Sequence, residues 1–547
     1  MNKPMPYSEL ATWLGYILLA LITTFPLIRN MGALFGPPED NQLFVWNIWW
    51  FKYAVFHLGI SPFHTDYLFW PDGTSLLFHT FSPLNGMLGG IFGLIMGTNA
   101  TYNFLILMSF VLSGYFMFML CRKLGLSRAA SFIAGLIFSF CPFHLVHAAH
   151  HLNISSIYLM PLILLFVLKG AETGKIKYAA LAALFLATSF YLSYYVYLIT
   201  IFLILPLMAI QYNRGSGNNR IKFFGSGMIV LALSTVLIAP LFLPMVKEAY
   251  SSNFERAIGH DLFVTDLVGF FFPHKYHWTH SSYISWIVNE SYAKIYWESA
   301  AFLGYLVLPM AIWAAIKKKI PLKKYFILIG LLGAILSLGS YPHLFGRPIS
   351  FIKLPVWLFE HIPLLNAARS PSRFVVLTYL ALAVFAAYAA EAWFDYLKVR
   401  WGKSAYRMGI VGLSAAIMLD YWSAPFEMAD IQIPDYYNTI KADKDECAIM
   451  NLPMEGWENN ERYMYYQTVH NKPICGGQLA RSSSKYFDDF RKMAATEGDL
   501  IRLKVKYIIL HKAFTTSSEY QKMHDFLIER FELFADDNLG TVFRTYR

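Results

Sequence analysis

Two adjacent carboxylates stand in Pro37-Pro38-Glu39-Asp40-Asn41, directly after a first apolar run. A carboxylate at the start of a helix beside a membrane surface can take a proton from a hydroxyl or hold a metal ion. An Asp in that place can also simply cap the helix that follows. Arg369 and Arg373, separated by Ser370-Pro371-Ser372, present planar forks of donors that match phosphate oxygens. The alternative for both is anchoring beside lipid headgroups. Glu298 follows Trp297 at the head of another apolar run. An acid at a membrane boundary is a functional candidate, and equally a charge stabilised by a helix dipole. Glu290 is a weaker alternative to it.

His144, His147, His150 and His151 cluster near the end of a third apolar run. Spacings of three and four put His147, His150 and His151 near one helical face, where they could contact phosphate, substrate or a metal. Interfacial histidines without a ligand read the same way, and no carboxylate lies nearby in sequence, so zinc is not assigned. Asp443-Lys444-Asp445 spells the Asp-x-Asp of nucleotide-sugar enzymes, but in a charged stretch from Lys441 to Glu446 it reads as a solvated turn. The chain has no P-loop, no Gly-x-Gly-x-x-Gly and no HExxH. No cofactor is required by these motifs; a divalent metal is compatible with them.

The elements that must position these residues are membrane helices. Of 547 residues 56% are hydrophobic and 15% charged, against about 25% charged in ordinary soluble domains. Apolar runs near 10–28, 100–121, 129–146, 152–168, 178–192, 194–212, 223–241, 299–316, 325–340, 372–392 and 408–424 predict about eleven spans. The first ends at Arg29-Asn30 without a small-residue cleavage site, so it reads as a membrane helix and not a cleaved leader. Residues 1–424 form a transmembrane domain with long loops at about 29–99, 242–298 and 341–371.

Residues 425–547 form a separate, small α/β domain. Cys447–Leu452 and Val505–Leu510 read as buried strands, Thr541–Tyr546 as an edge strand and Glu519–Leu533 as a helix. Cys447 and Cys475 would suit a disulfide in an oxidising compartment. Within the first long loop, Gln42–Leu58 reads as a Trp-rich interfacial helix, and Leu84–Met96 as a second interfacial or re-entrant one.

Charge orients the map. Residues 1–424 hold 29 Lys/Arg against 16 Asp/Glu, and residues 425–547 hold 16 against 19. The basic excess therefore belongs to membrane loops, not to a nucleic-acid surface. Nineteen of the 29 fall on the N-terminal side of the alternating loops, which puts the N-terminus in the cytoplasm and 425–547 outside.

Three stretches resemble the polytopic GT-C glycosyltransferase superfamily, close to its YfhO-like bacterial branch. They are Pro38-Glu39-Asp40 through Trp46-Asn47-Ile48-Trp49-Trp50, Trp70-Pro71-Asp72-Gly73 and Ser82-Pro83-Leu84-Asn85; the run Pro363 to Phe374; and Tyr466-Gln467 with His470, Gly476-Gly477 and Arg481. The resemblance implies a bacterial inner-membrane enzyme that moves a sugar from a polyprenyl-phosphate donor to an extracytoplasmic glycan, lipid or protein acceptor. It implies Asp40 as the base, assisted by Glu39, with Glu298 as a second acid and Arg369 and Arg373 on the donor phosphate, all gathered in one outer-leaflet cavity. A flippase or transporter of lipid-linked glycans is the first rival. Mid-membrane positions here hold almost no acids or bases, which disfavours a crossing pathway. A non-catalytic envelope assembly protein is the second.

Overall fold

Hydrocarbon offers the backbone no hydrogen-bond partner, so an apolar run that enters it must close its own N–H and C=O groups as a helix. The computed structural model describes residues 6–214, 218–251, 263–280, 298, 300–362, 365, 369–479, 490 and 496–546. Among them, four helices are long and apolar enough to span a bilayer: Thr98–Lys123, Leu152–Thr173, Phe224–Tyr250 and Pro371–Asp420. Arg128–Ser139 and Pro142–His150 make a fifth if taken together across a 46° bend. Shorter apolar helices include Ser8–Thr23, Ile176–Leu192, Tyr194–Ile210 and Val307–Lys317. The protein is a polytopic helical membrane protein with a small C-terminal sheet.

Three expected spans change form. Residues 372–392 and 408–424 are parts of one long element, Val375–Asp420, broken at Gly402, where φ is +83°. The break falls among Lys398, Arg400, Lys403 and Arg407, as expected of a loop between spans. The run expected at 299–316 becomes helical only at Val307. The Asp420 carboxylate accepts the backbone N–H groups of Tyr305 and Leu306, each at 2.9 Å, and so fixes where that helix starts.

The chain packs as two compact units. The first comprises Met1–Asn30, Phe104–Leu243 and Ala249–Glu427. At its centre the N-terminal half of Val375–Asp420 is buried against Val307–Lys317, Lys323–Ser337 and Arg128–Ser139. Small residues permit this close approach. A Cβ at Gly333 would lie 2.8 Å from the Phe374 carbonyl oxygen, and the Thr378 hydroxyl donates to the Gly330 carbonyl at 2.9 Å.

The second unit comprises Met31–Asn103, Pro244–Glu248 and Met428–Arg547. Its four-stranded sheet centres on Val505–His511, buried at every position. Ala448–Leu452 pairs with it in parallel and Gly540–Arg544 antiparallel, and Glu532–Asp536 closes the far edge. The strand expected at the edge, 541–546, is therefore interior. The helix expected to reach Leu533 stops at Ile528, because 532–536 is recruited into a hairpin with 540–544. Asp537 shapes that turn by accepting the N–H groups of Leu539 and Gly540. Cys447 and Cys475 are both free thiols.

The 31–103 segment belongs to this same unit. Leu34–Phe35 pairs with Met428–Ala429. The helix Asn41–Lys52 is not interfacial: Asn41 to Trp50 are all buried, against Trp457–His470 and Pro83–Met96. Its indole N–H groups are met by protein acceptors: Trp46 donates to Gln467 at 2.7 Å, Trp49 to Asn471 at 3.2 Å and Trp50 to the Pro62 carbonyl at 3.1 Å. The indoles thus bury without an orphan donor. Pro83–Met96 lays its glycines on that helix and leaves Ile91, Leu94 and Ile95 exposed, the apolar outer face expected of a membrane-embedded element.

Candidate functional site

In the second unit the site is built around Asp40. It precedes Asn41–Lys52, yet its side chain makes no capping hydrogen bond. The chain is fixed here by other groups: Asn41 Nδ2 donates to the Phe35 carbonyl at 3.3 Å, and Gln42 Nε2 to the Pro38 carbonyl at 2.8 Å. With its helix held by amides, Asp40 stands close enough to Glu461 for its charge to act on that carboxyl. Asp40 is half-buried, whereas Glu461 is 1% exposed.

Trp457 Nε1 donates to Glu461 Oε1 at 2.6 Å. Burial first, and then the neighbouring Asp40 charge, push the Glu461 carboxyl well above the usual range. Glu39 is half-buried and adds a further repulsive charge. Arg462 Nε is engaged by Gln42 Oε1 at 2.6 Å. His79, bonded to Asn47 at 3.1 Å, is pushed by burial down to about 3 and stays neutral beside the acids.

In the first unit a second constellation forms where the Arg128–His150 helix pair bends. Pro142 cannot donate to the preceding turn, so the helix restarts there and turns its histidines inward. All four are buried. They do not act alike. His144 is spent on the fold, with Nδ1 2.7 Å from the Ser139 carbonyl oxygen and Nε2 3.1 Å from the Ser109 hydroxyl. His150 meets the Tyr276 hydroxyl at 3.0 Å. His147 and His151 face each other, Nδ1 to Nδ1, at 3.1 Å.

Glu298 completes the group. One ligand atom each from His147, His151 and Glu298 lie within 4.8 Å of one another. Arg373 grips the same carboxylate: Nε lies 3.2 Å from each oxygen, and Nη2 also donates to Oε1. Ser372 adds a hydroxyl donor at 3.1 Å. The guanidinium stacks 4.4 Å above the Tyr195 ring. Burial would push the Glu298 carboxyl up, but Arg373 more than offsets it and the net shift is downward. Two imidazole nitrogens and a carboxylate oxygen form a three-ligand set of the sort that holds a divalent cation with a position open for substrate. Arg373 already neutralises that carboxylate, so a cation there would share it.

The expected residues thus sort clearly. Asp40 and Glu39 lie together in the second unit; His147, His151, Glu298 and Arg373 converge in the first. Arg369 is half-buried four residues before Arg373. His150 contacts Tyr276 instead of completing the metal-like trio. Asp443 and Asp445 do not form a nucleotide site: both bond Lys506, and Asp443 also accepts from the Tyr507 hydroxyl at 2.6 Å. Glu290 and Arg481 lie outside the described residues.

Glu461 was not foreseen. In Glu458-Asn459-Asn460-Glu461-Arg462 it reads as one more charge on a solvated helix face. Tyr276 and Tyr195 carry no local motif either.

This architecture defines a membrane protein with the fold of the GT-C glycosyltransferases. Over the whole chain it superposes on mycobacterial arabinofuranosyltransferase AftD with a TM-score of 0.65 at 12% identity, spanning 40% of that larger protein. It superposes on the Archaeoglobus fulgidus oligosaccharyltransferase with 0.54 at 12% identity, covering 93% of this chain and 70% of the other. On Cupriavidus metallidurans ArnT bound to undecaprenyl phosphate the score is 0.55 at 10% identity, with 99% and 98% covered. The chain belongs to the family described as a domain of unknown function, DUF6311, whose model matches residues 12–404. None of the curated proteins matches the sequence.

Proposed function

We propose that this protein is a glycosyltransferase that moves a sugar from a polyprenyl-phosphate donor to an acceptor hydroxyl outside the cytoplasmic membrane. The observation that carries the reading is Asp40: a carboxylate at a helix start that caps nothing, half open, and backed by a buried acid. The likeness of the fold to AftD, and to ArnT bound to undecaprenyl phosphate, supports it. So does the resemblance of the 38–85 stretch to the YfhO-like branch.

In this mechanism Asp40 accepts the acceptor's hydroxyl proton as the oxygen attacks the anomeric carbon. The carbon–phosphate oxygen bond breaks on the opposite face, polyprenyl phosphate departs, and the configuration inverts. Arg373, held in plane by Glu298, and Arg369 take the donor phosphate and stabilise it as it leaves. His147, His151 and Glu298 would hold a divalent cation, which supplies positive charge to the same phosphate. Glu39 adds negative potential beside the base. The basic excess on one set of loops favours a cytoplasmic N-terminus and an acceptor on the other side.

Mass spectrometry of lipid-linked sugars and envelope glycans in a deletion strain tests the reading. The deletion should accumulate a polyprenyl-phosphate sugar and lose one glycan. Restored wild-type protein should reverse both, and Asp40→Asn should not, since a general base contributes about 10²–10⁴-fold. An Asp40→Asn strain indistinguishable from wild type would overturn it.

A further inference from the structure

The described residues of the C-terminal sheet leave a cavity on one of its faces. Side chains alternate along Ala448–Leu452, so Met450 and Leu452 share a face, and the pairing sets Met450 beside Ile508 on the central strand. Leu500, from the helix Glu497–Arg502, and Leu527, from Ser517–Ile528, belong to the same apolar cluster. Between these groups lies a space of about 860 Å³, within the roughly 300–1,000 Å³ of small-ligand clefts. One wall is a helical stripe with members four apart: Lys522 and Met523, Phe526 and Leu527, Arg530 and Phe531. Met523, Leu527 and Phe531 are buried or half-buried, whereas Lys522, Phe526 and Arg530 form an exposed rim. Across the cleft, Gly498 leaves room: a Cβ there would meet only Thr496 Oγ1, 3.8 Å away.

Polarity limits the occupant. The polar side chains that line the cavity, Thr496, Glu497, Lys522 and Arg530, are all exposed. Of these the Thr496 hydroxyl is already used in a capping box, donating to Asp499 Oδ2 at 2.7 Å and accepting the Asp499 N–H at 3.2 Å. A sugar hydroxyl carried inside would lose its hydration without replacement. A hydrocarbon chain gains from the same burial, and Met450 and Met523 can adapt to its shape.

The rim adds a preference of charge. Arg530 folds back along the stripe: Nη1 donates to the Phe526 carbonyl at 2.9 Å, and the guanidinium lies 3.7 Å from the centre of the Phe526 ring. Lys522 and Arg530 therefore border the same exposed ring, four residues from each. Glu497 is the one acid in the lining. Other acids of the helix have their own donors: Glu519 accepts from the Thr516 hydroxyl at 2.7 Å and Asp525 from Gln521 at 2.7 Å. Glu529, 3.8 Å from Arg530 Nη1, is an exposed neighbour of the kind that holds a cation weakly.

We propose that this cavity holds one acyl chain of an anionic phospholipid, with the chain between the sheet and Ser517–Ile528 and the headgroup phosphate on Lys522 and Arg530. A helical membrane protein stands in the bilayer that supplies such a chain. None of the lining residues takes part in the proposed sugar transfer, so this site stands or falls independently of that reading.

Phosphatidylglycerol with a diazirine at the end of one acyl chain, photolysed with the detergent-purified full chain, tests it. Adducts should map to the peptides that contain Met450, Leu452, Met523 and Phe531. Phosphatidylcholine with the same chain should label them about fivefold less, the effect of roughly one charge contact. Lys522→Gln with Arg530→Gln should erase the difference between the two lipids. Gly498→Leu puts a side chain into the cleft where the backbone is not left-handed, so it should keep the melting temperature and lose the adducts. Gly498→Cys reads the opening itself, because the four native cysteines are buried: its thiol should react with a maleimide without added lipid and be protected by phosphatidylglycerol. An unreactive thiol, adducts mapping elsewhere, equal labelling by the two lipids, or adducts undiminished in Gly498→Leu would each overturn the proposal. Displacement of the phospholipid by an equal concentration of oleate would assign the cavity to a free fatty acid and overturn it too.

Discussion

At the scale of single residues, most of the charge that matters is buried and paired. Glu298 and Arg373 make one such pair, with side chains 3% and 11% exposed. Removing one partner leaves the other uncompensated, which typically costs about 3–5 kcal/mol. Arg373→Ala should therefore lower the melting temperature of the detergent-purified protein strongly. Arg373→Lys should recover only part of it, because an ammonium cannot reproduce the two-point grip. Equal melting temperatures for wild type and Arg373→Ala would show the pair to be unimportant to the fold.

Asp443 gives a pH test with a defined sign. Burial raises its carboxyl, but Tyr507, the Asp445 N–H and Lys506 pull it down to about 2. A depressed acid stabilises the fold above its unfolded value and loses that contribution as pH falls towards the folded one. The wild type should thus lose stability between about pH 4 and pH 2 more steeply than Asp443→Asn. Hydrogen exchange in Val505–His511 reads this locally. Glu461 has the opposite sign: its carboxyl is raised, so its contribution falls as pH rises. Glu461→Gln should gain stability relative to wild type as the medium becomes more alkaline. Parallel pH curves for the two proteins would contradict the buried proton.

At the scale of elements, the helix Asn41–Lys52 joins the catalytic candidate to the sheet domain. Its apolar neighbour Pro83–Met96 approaches through glycine: a Cβ at Gly89 would lie 2.6 Å from Ile48 Cγ2, and one at Gly86 would lie 2.9 Å from the Phe51 ring. Gly89→Leu should wedge the helices apart at a cost of about 1–3 kcal/mol. The buried indoles of Trp46 and Trp50 supply the readout, since their fluorescence should shift to the red as water reaches them. An unshifted spectrum with unchanged stability would mean that the two helices do not need this contact. The sequence named Gln42–Leu58 as a helix from its Trp-rich run, but placed it at the interface. Aromatic belts and buried aromatic cores use the same residues. What separates them here is Gln467 and Asn471, more than 400 positions away, which accept the indole protons.

At the scale of the molecule, the orientation proposed from loop charge can be measured. All four native cysteines are buried, so single added thiols should dominate labelling. Lys318→Cys should react with an impermeant maleimide only after cells are opened, and Glu529→Cys in intact cells. The reverse pattern would invert the topology.

The sequence by itself determined the apolar runs, the charge asymmetry of their loops and the motifs that resemble the GT-C superfamily. These are local or additive properties: each span must satisfy its own backbone, and each loop carries its own charge. It also singled out Asp40, Glu298, Arg373, His147 and His151 as residue types worth attention. Only the tertiary structure decided how they are used. It took His144 into the core, turned His147 and His151 towards Glu298, set Arg373 on that carboxylate, and brought Glu461 to Asp40. Whether a carboxyl is a cap, a base or a proton store depends on which groups surround it in space, and those groups come from segments hundreds of residues apart.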